Sequence, residues 1–378
     1  MLKGNKGEWS EIYVLLKLLA DGKLYSADSE LNKIADVFKP VIKILREESQ
    51  SSKIEYLING NIKVVDSESK NILIELPIKT FINKAQELFE KIKKGDANSF
   101  SIPEFDDFLT TVSVTQLKAK SVDKADITIV VRDPATGHQP TVSFSVKSLI
   151  GKEPTLLNPG SNTNLIYQIT HQKNKKLAFD EFNKDTYVKS KITKRLSSLD
   201  EKGFKLDFQK IESDNFMLNL QLLDGDLPKI LSHLLILKYK FGKSKTSDLL
   251  KLIEKENPLN YNLSKGHPFY KYKLTSLLYD YALGMTPEIV WKGQYNANGG
   301  IIIVKDNSDV VCYHIYDKNL FQEYLINHTK FEQASTGEDE DNPGNKRTKK
   351  GTKKYYYGWV YEEQGKLFIK LNLQIRFI

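Results

Sequence analysis

Cysteine is nearly absent from this sequence, with Cys312 alone among 378 residues. A single cysteine excludes an intramolecular disulfide framework and a cysteine-based zinc cluster. The sequence also lacks any run of about 18 apolar residues, so no segment is expected to span a membrane. The N-terminal stretch MLKGNKGEWSE is polar, unlike a secretory signal peptide. These absences predict a protein of the reducing cytoplasm.

Arginine is also scarce, because positive charge comes almost entirely from lysine; the arginines are Arg46, Arg132, Arg195, Arg347 and Arg376. Lysine and arginine together number 56 against 48 acids, which gives a net charge of +8. This excess favours an anionic partner such as nucleic acid, although a lysine-rich composition alone produces the same balance. The length predicts one large domain or two smaller ones.

Hydrophobic patterns along the chain predict an α/β protein with α+β elements and mostly mixed sheets. Helices are expected at 7–20, stopped by Asp21-Gly22, at 29–48 with a break at Pro40, at 79–94, and through much of 223–285. Strands are expected in a hairpin at 54–66 around Asn59-Gly60, across 100–180, at 300–305, at 310–316, and in a last hairpin around Gln364-Gly365.

These elements divide the sequence into four predicted segments. Residues 1–95 form an N-terminal helical and hairpin region that contributes a helix to the core, and 96–333 form the main core with a helical insert. The stretch 334–354 joins an acidic block to a basic one and is predicted to be a mobile charged loop. Residues 355–378 form a C-terminal β-hairpin.

The stretch KADITIVVRDPATGHQPTVSFSVKS at 124–148 predicts two strands joined by the loop DPATGHQP. If Arg132 and Thr141 flank that loop, antiparallel pairing places Asp126 opposite Lys147, about 5 Å apart at Cβ. Strand alternation then brings Asp126, Ser145 and Lys147 together on one face. The opposite, core-facing side comprises Ile127, Ile129, Val131, Val142, Phe144 and Val146.

A carboxylate beside an ammonium group suits phosphodiester hydrolysis with a divalent cation. Asp126 would bind Mg²⁺, which takes hard oxygen ligands and lowers the pKa of a bound water. Lys147 would orient or help deprotonate that water and stabilise the charged transition state. The same spacing also fits an ordinary cross-strand ion pair on a half-exposed sheet.

This layout resembles the PD-(D/E)XK nuclease core, in which an Asp opens one strand and Glu/Asp-x-Lys lies on the next. Here the triplet is Ser145-Val146-Lys147, so serine stands in place of the usual acid, and Ala125 replaces the proline before Asp126. Some restriction endonucleases of this superfamily carry Ser-x-Lys and recruit a carboxylate from elsewhere. The resemblance implies a mixed β-sheet flanked by helices and a second metal-binding acid outside the triplet.

The helix at 7–20 offers candidates for that acid. Glu8 and Glu11 are three residues apart and lie on one side of the helix, among apolar neighbours. A metal would compensate a glutamate on such a face, and so would a lysine or a backbone donor. Both acids also suit the first turns of a helix, where the dipole favours them. Glu153, shortly after the triplet, is a third candidate.

The resemblance to one family extends over essentially the full chain. The blocks GNKGEWSEIYVLLKLLADGKLYSAD at 4–28 and FSVKSLIGKEPTLLNPGSNTN at 144–164 are similar to the HpaII-type restriction endonuclease family. So are 299–332 and GWVYEEQGKLFIKLNLQIRF at 358–377. The resemblance implies a Mg²⁺-dependent enzyme that cuts double-stranded DNA at a short palindrome, with CCGG as the expected target. It also implies a companion DNA methyltransferase.

Two polar segments are candidate DNA contacts. The loop TLLNPGSNTN at 155–164 is rich in short hydrogen-bonding side chains, and the last strand alternates an apolar face with a face of Lys, Asn, Gln and Arg. Ordinary turn chemistry and an ordinary solvated strand face explain the same patterns. The candidates are Asn158, Ser161, Asn162, Asn164, Lys370, Asn372, Gln374 and Arg376.

Two further basic stretches have weaker patterns. KGHPFYKYK at 265–273 interleaves lysines with aromatics and fits either nucleic-acid binding or the start of a helix with a buried aromatic face. The basic run at 346–354 could contact the DNA backbone, although the acids at 338–341 would cancel much of its field.

Palindromic cleavage predicts a symmetric homodimer, since a protein two-fold axis matches that of the DNA. The main alternative is a protein of the same fold that binds specific DNA without cutting it, and Ser145 supports this reading. A basic protein with a structural or RNA-associated role is a third possibility, which strong salt dependence without preference for duplex DNA would favour.

Overall fold

The computed structural model describes residues 1–49, 51–96, 98–119, 125–171, 183, 191–334 and 357–378. The predicted mobile loop at 334–354 lies, apart from Ala334, outside these residues, together with its acidic and basic runs. None of the helices in the described ranges is long and apolar enough to cross a membrane.

Helices and strands alternate irregularly along the chain. The described helices are α1 (Lys6–Asp21), α2 (Ile78–Lys94), Asp106–Thr111, Lys191–Glu201, Asp214–Leu223, Leu227–Phe241, Thr246–Glu256, Phe269–Ala282 and Lys318–Asn327. The described strands are β1 (Lys3–Gly4), β2 (Lys23–Ala27), β3 (Lys33–Ser49), β4 (Ser52–Asn59), β5 (Asn61–Asp66), β6 (Ile72–Pro77), β7 (Phe100–Ser101), β8 (Ile127–Val131), β9 (Thr141–Ser148), β10 (Thr155–Leu157), β11 (Asn164–His171), β12 (Phe204–Ile211), β13 (Gly300–Val304), β14 (Val310–His314), β15 (Thr329–Glu332), β16 (Val360–Glu363), β17 (Lys366–Asn372) and β18 (Gln374–Phe377). The predicted mixed α/β class with α+β elements is confirmed.

Contacts group the chain into two units. Unit 1 comprises 1–154, 282–284 and 294–324, and unit 2 comprises 155–281, 285–293 and 325–378. These boundaries differ from those of the four segments predicted from the sequence. The four-segment division stays a prediction.

Unit 1 contains a large mixed sheet with the strand order β2-β14-β13-β9-β8-β3-β4-β5-β6. The pairs β9–β13 and β2–β14 are parallel, and the other pairs are antiparallel. The first part of β3 also pairs with β2, whereas its second part pairs with β8 and β4. The hairpin predicted around Gly60 and the two strands near 300–316 are confirmed.

The core of unit 1 lies between this sheet and α1 and α2. Helix α1 packs against α2 and β9 and buries a wide apolar surface that includes Ile12, Leu15 and Leu19. Asn5 caps its N-terminus, and Gly22 ends it in the left-handed conformation with φ 62°. The predicted helices at 7–20 and 79–94 are therefore confirmed, and α1 packs against the strand that carries Lys147.

The helix predicted at 29–48 is wrong, because these residues belong largely to strand β3. Its inward positions alternate through Ile44, Arg46 and Glu48. Two charged residues at buried positions hide the two-residue apolar period by which a strand is recognised. The remaining apolar residues then mimic helical spacing.

Unit 2 contains two antiparallel sheets and most of the helices predicted within 223–285. The strand orders are β12-β11-β17-β16 and β10-β18-β15. The helix Phe269–Ala282 begins inside KGHPFYKYK and buries Tyr270, which confirms the helix-start interpretation of that stretch.

The last hairpin turns at Gln364 and Gly365 as predicted, but its second strand is interrupted. Strand β17 ends at Asn372, and β18 joins the other sheet of unit 2 after Leu373. The expectation of one continuous alternating strand is therefore wrong. Both Asn372 and Gln374 are buried, and the side-chain amide of Asn372 donates to the loop that precedes β11.

Candidate active site

Strands β8 and β9 position the predicted catalytic triplet. They pair antiparallel, with Ile127 opposite Phe144 and Thr128 opposite Ser143. The predicted register, with Asp126 opposite Lys147, is therefore wrong by two residues. The hairpin closes further out than predicted, because Asp133 N–H donates to His138 O at 2.8 Å. A shift of two residues preserves the faces, so the apolar residues of both strands still point into the core.

The three predicted residues form a hydrogen-bonded chain. The Ser145 hydroxyl donates to Asp126 Oδ2 at 3.1 Å, and the backbone N–H of Val146 donates to the same oxygen at 2.7 Å. Lys147 Nζ donates to the Ser145 hydroxyl at 2.9 Å. Asp126 is therefore linked to Lys147 through Ser145, rather than by direct cross-strand opposition.

The ammonium group of Lys147 lies in a partly dehydrated setting. Burial lowers its pKa, whereas the negative charges of Asp126 and Glu11 act in the opposite direction. Burial is the larger effect, so the pKa lies below the ordinary lysine value. A lysine of this kind exchanges a proton more readily near neutral pH than a solvated lysine does.

Glu11 on α1 faces the same site. Burial, with the nearby charge of Asp126 as the next cause, raises the pKa of Glu11 to about 8. Its Oε2 atom is buried and has no hydrogen-bond partner. An uncompensated buried carboxylate oxygen is energetically costly, and such groups mark sites that bind a cation or transfer a proton.

Glu8 and Glu153 occupy different settings from Glu11. Glu8 Oε2 accepts from Asn5 N–H at 2.8 Å, while Glu8 N–H donates to Asn5 Oδ1 at 3.1 Å, so Glu8 completes the capping box of α1. Glu8 is still close enough to raise the pKa of Glu11. Glu153 is half-buried after β9. The structure thus brings Glu11 toward Asp126 more directly than either other acid.

An open groove of about 390 Å³ adjoins these residues within unit 1. Its lining includes Glu11, Arg46, Glu47, Ala119, Asp126 and Thr128. Carboxylates and cations therefore line one concave surface at the start of β8, as expected for a site that handles a charged substrate.

A divalent cation fits this donor set. No three His, Cys, Asp or Glu side chains within the described ranges are arranged as a complete metal cage. Mg²⁺, however, is commonly held by one or two carboxylates together with waters and substrate phosphates. Asp126 and the unpartnered Oε2 of Glu11 supply two such carboxylates.

Two cationic residues near the groove, Lys118 and Arg46, were not among the residues predicted from the sequence. Lys118 is exposed, and its charge lowers the pKa of both Glu11 and Lys147. Arg46 also lowers the pKa of Glu11. No motif marks Lys118, and Arg46 lies in a segment that was predicted to be helical.

Part of the predicted DNA-contacting set is buried inside unit 2. The side-chain amide of Asn372 donates to Gly160 O at 2.7 Å, to Thr163 Oγ1 at 3.1 Å and to Asn164 Oδ1 at 2.8 Å. Asn164 in turn donates to Glu212 Oε2 at 2.7 Å. This network joins the start of β11 to β17 and fixes the loop that precedes β11.

The other candidates differ in exposure. Lys370 Nζ donates to Glu212 Oε1 at 2.6 Å, and Gln374 is buried. Arg376 is half-buried, and its Nε atom is buried without a partner. Asn158 and Ser161 are exposed, and Asn162 is half-buried. The loop residues therefore present the accessible polar groups of this set.

Known proteins are similar to this chain over nearly its full length. The family model described as HpaII restriction endonuclease matches residues 5–377. The chain is 43% identical over 376 residues to the type II restriction enzyme HpaII of Haemophilus parainfluenzae, covering 99% of this chain and 98% of that protein. No solved structure matches. The chain therefore belongs to the HpaII restriction endonuclease family, a family of type II site-specific deoxyribonucleases.

Proposed function

We propose that this protein, a type II restriction endonuclease by its family, hydrolyses DNA phosphodiester bonds at the site formed by Asp126, Ser145, Lys147 and Glu11. The observation that carries this proposal is the hydrogen-bonded chain from Asp126 through Ser145 to Lys147. It lies beside a buried glutamate with an unpartnered oxygen. Such a cluster is poorly explained as a structural ion pair, because Glu11 has no compensating hydrogen bond on that oxygen.

Asp126 and Glu11 would hold Mg²⁺, with Glu8 as the neighbouring alternative. Bound Mg²⁺ would stabilise negative charge on the phosphate oxygens and acidify the attacking water. The Val146 N–H and the Ser145 hydroxyl orient the Asp126 carboxylate by donating to Oδ2. That carboxylate therefore presents its remaining lone pairs in a fixed direction.

Lys147 would orient the attacking water and take up or release its proton. Because burial lowers its pKa, Lys147 gives up a proton more readily than a solvated lysine does. When protonated, its ammonium stabilises the extra negative charge that develops on the phosphate. Ser145 accepts from Lys147 Nζ and so holds the lysine beside Asp126.

We propose a PD-(D/E)XK-like core for unit 1, in which Ser145 replaces the usual acid and Glu11 on α1 supplies the second carboxylate. The mixed sheet with α1 against β9 supports this assignment. The proposed target is CCGG, following the family resemblance. A homodimer and a companion DNA methyltransferase complete the proposed system.

DNA contacts are proposed for the accessible groups of the loop 155–164 and the last strands. Asn158, Ser161, Asn162, Lys370 and Arg376 would contact phosphates or base edges. Asn164 and Asn372, which were predicted with them, would act by holding the loop in shape, since they are buried and hydrogen-bonded to each other. Gln374, also predicted with them, is buried as well.

The first experiment is incubation of purified protein with unmethylated plasmid DNA, in Mg²⁺ and in EDTA. Discrete fragments with Mg²⁺ alone are expected, and sequencing their ends gives the target. Asp126→Ala and Lys147→Ala should each reduce cleavage by more than about 100-fold while duplex binding is largely retained.

Cleavage at the wild-type rate by either variant would refute the site assignment. Specific duplex binding without any cleavage by the wild type would instead support the non-catalytic DNA-binding alternative, for which Ser145 is the supporting feature. Binding without preference for duplex DNA would favour the basic structural protein.

A further inference from the structure

Arg46 and Glu48 form an ion pair inside unit 1. They lie two residues apart on β3, are 7% and 5% exposed, and Arg46 Nε donates to Glu48 Oε1. A buried ion pair is a weak source of net stability, because desolvation offsets its Coulombic attraction. The other contacts of the pair therefore indicate what it holds in place.

Those contacts fix the segment 115–117, which has no regular secondary structure. Arg46 Nη2 donates to Gln116 O and, at 3.2 Å, to Leu117 O. Glu48 Oε2 accepts from Thr115 N–H at 2.7 Å, and the Gln116 side-chain amide donates to Glu48 O at 2.7 Å. Side chains and backbone of β3 thus replace the hydrogen bonds that a helix or sheet would supply.

The fixed segment leads directly to the groove. Lys118 follows Leu117 and is exposed, and Ala119 lines the groove with Glu11 and Asp126. The charge of Lys118 reaches both Glu11 and Lys147, since it lowers the pKa of each. An exposed lysine at this position adds nothing to the core but adds positive charge at the rim of the site.

We propose that Lys118 binds a phosphate of the DNA strand in the groove, and that Arg46 and Glu48 are positioning residues that hold it there. This inference rests on the proposed nuclease function. An ammonium group forms a charge-assisted hydrogen bond to a phosphate oxygen. Lys118 therefore complements Lys147, which lies deeper and is bonded to Ser145.

The test compares Lys118→Ala and Lys118→Arg with Lys79→Ala, a control at another exposed lysine in the first turn of α2. Single-turnover cleavage is measured with Mg²⁺, and binding to the same duplex is measured with Ca²⁺ over a range of KCl concentrations. Lys118→Ala should slow cleavage by about 10–100-fold. It should also reduce the salt slope of binding by about one.

Lys118→Arg keeps the charge and should cleave within about threefold of wild type, as should Lys79→Ala. Cleavage by Lys118→Ala within about twofold of wild type, with an unchanged salt slope, would overturn the proposal. Weaker Mg²⁺ affinity with an unchanged salt slope would also overturn it, by making Lys118 a counter-charge for Glu11 alone. Failure of the wild type to cleave would refute the proposed function instead.

The positioning role is tested by a double-mutant cycle with Glu48→Gln. If Glu48 acts through Lys118, Glu48→Gln should slow cleavage when Lys118 is present. It should slow cleavage little further in the Lys118→Ala background. Thermal melting identifies any general loss of folding. An equal slowing of both backgrounds would show that the pair acts only through stability, and would overturn the positioning role.

Discussion

Ser145 provides a neutral link where the resembled nuclease core carries an acid. Its hydroxyl donates to Asp126 and accepts from Lys147, so it satisfies both charged groups at once. A third carboxylate at this position would add negative charge beside Glu11, whose pKa burial and Asp126 already raise to about 8. A hydroxyl keeps the geometry without that repulsion.

Ser145→Ala should therefore reduce the single-turnover cleavage rate by about 10-fold, because one hydrogen bond to each charged neighbour is lost. Ser69→Ala is the matched control, since its hydroxyl also donates to a carboxylate, Asp66 Oδ1, at 2.8 Å and does not line the groove. The control should cleave within about threefold of wild type. Equal losses in the two variants would contradict a specific role for Ser145.

Glu11→Gln should stabilise the metal-free protein while removing its response to Mg²⁺. The folded-state pKa of about 8 lies above the ordinary glutamate pKa of 4.5. Glu11 therefore costs stability progressively as pH rises from 4.5 to 8. At pH 8, Glu11→Gln should raise the free energy of unfolding by about 1–3 kcal/mol.

Melting curves with and without Mg²⁺ test the metal response directly. Mg²⁺ should raise the melting temperature of wild type and of Glu8→Gln, which keeps a capping-box side chain at the N3 position of α1. It should not raise that of Glu11→Gln. A full Mg²⁺ response in Glu11→Gln would exclude Glu11 as the metal ligand. Loss of the Mg²⁺ response in Glu8→Gln would favour Glu8 as the ligand.

The sequence was sufficient to bring Asp126, Ser145 and Lys147 together, because an error of two residues in register leaves each side chain on the same face. It was sufficient to nominate Glu11, since a glutamate among apolar residues on a helix needs a partner. Lys118 could not be found in this way. Its position depends on contacts with Arg46 and Glu48, which are about 70 residues away in sequence.

At the scale of elements, buried polar residues account for two wrong predictions, the helix at 29–48 and the continuous last strand. Strand β3 carries Arg46 and Glu48 at inward positions, and the last strand carries Asn372 at one. Apolar periodicity assumes that buried positions are apolar, so it fails where hydrogen bonds satisfy polar groups inside. It succeeded for α1, α2 and the hairpin at Gly60, where burial and hydrophobicity coincide.

The β3–β4–β5 hairpins contain a further charge cluster around Glu55. Its carboxylate accepts from Lys43 Nζ at 2.9 Å, Lys70 Nζ at 2.8 Å and Ser67 Oγ at 2.9 Å. Burial alone would raise the pKa of Glu55, but these hydrogen bonds outweigh it and lower the pKa to about 2. The cluster therefore stabilises the fold above pH 4.5, and this contribution is lost as pH falls toward 2.

Glu55→Gln should lower the free energy of unfolding by about 1–2 kcal/mol at pH 7, since Lys70 is largely exposed and solvent screens its charge. The difference from wild type should shrink in denaturant titrations below pH 4.5. Glu75→Gln is the control, because its side chain is 41% exposed and its pair with Lys63 is weak. A difference that stays constant from pH 7 to pH 3 would contradict the assignment.

At the scale of the whole molecule, the part of the chain that the structure describes contains one candidate catalytic site. That site lies in unit 1, and the proposed target has two scissile bonds related by a two-fold axis. One site cuts one strand in each hydrolytic event, so concerted cutting of both strands requires two copies of the chain. The net charge of +8 suits DNA binding but does not distinguish one copy from two.

Subunit mixing distinguishes these cases on a plasmid with a single target. Wild type alone should give mainly linear product. Wild type refolded or co-expressed with a tenfold excess of Lys147→Ala should give mainly nicked circles, because most active subunits then sit beside an inactive one. The nicked fraction is read from an agarose gel. An unchanged ratio of linear to nicked product would show that one chain cuts both strands in turn. That result would refute the homodimer proposal without contradicting the active site proposed in unit 1.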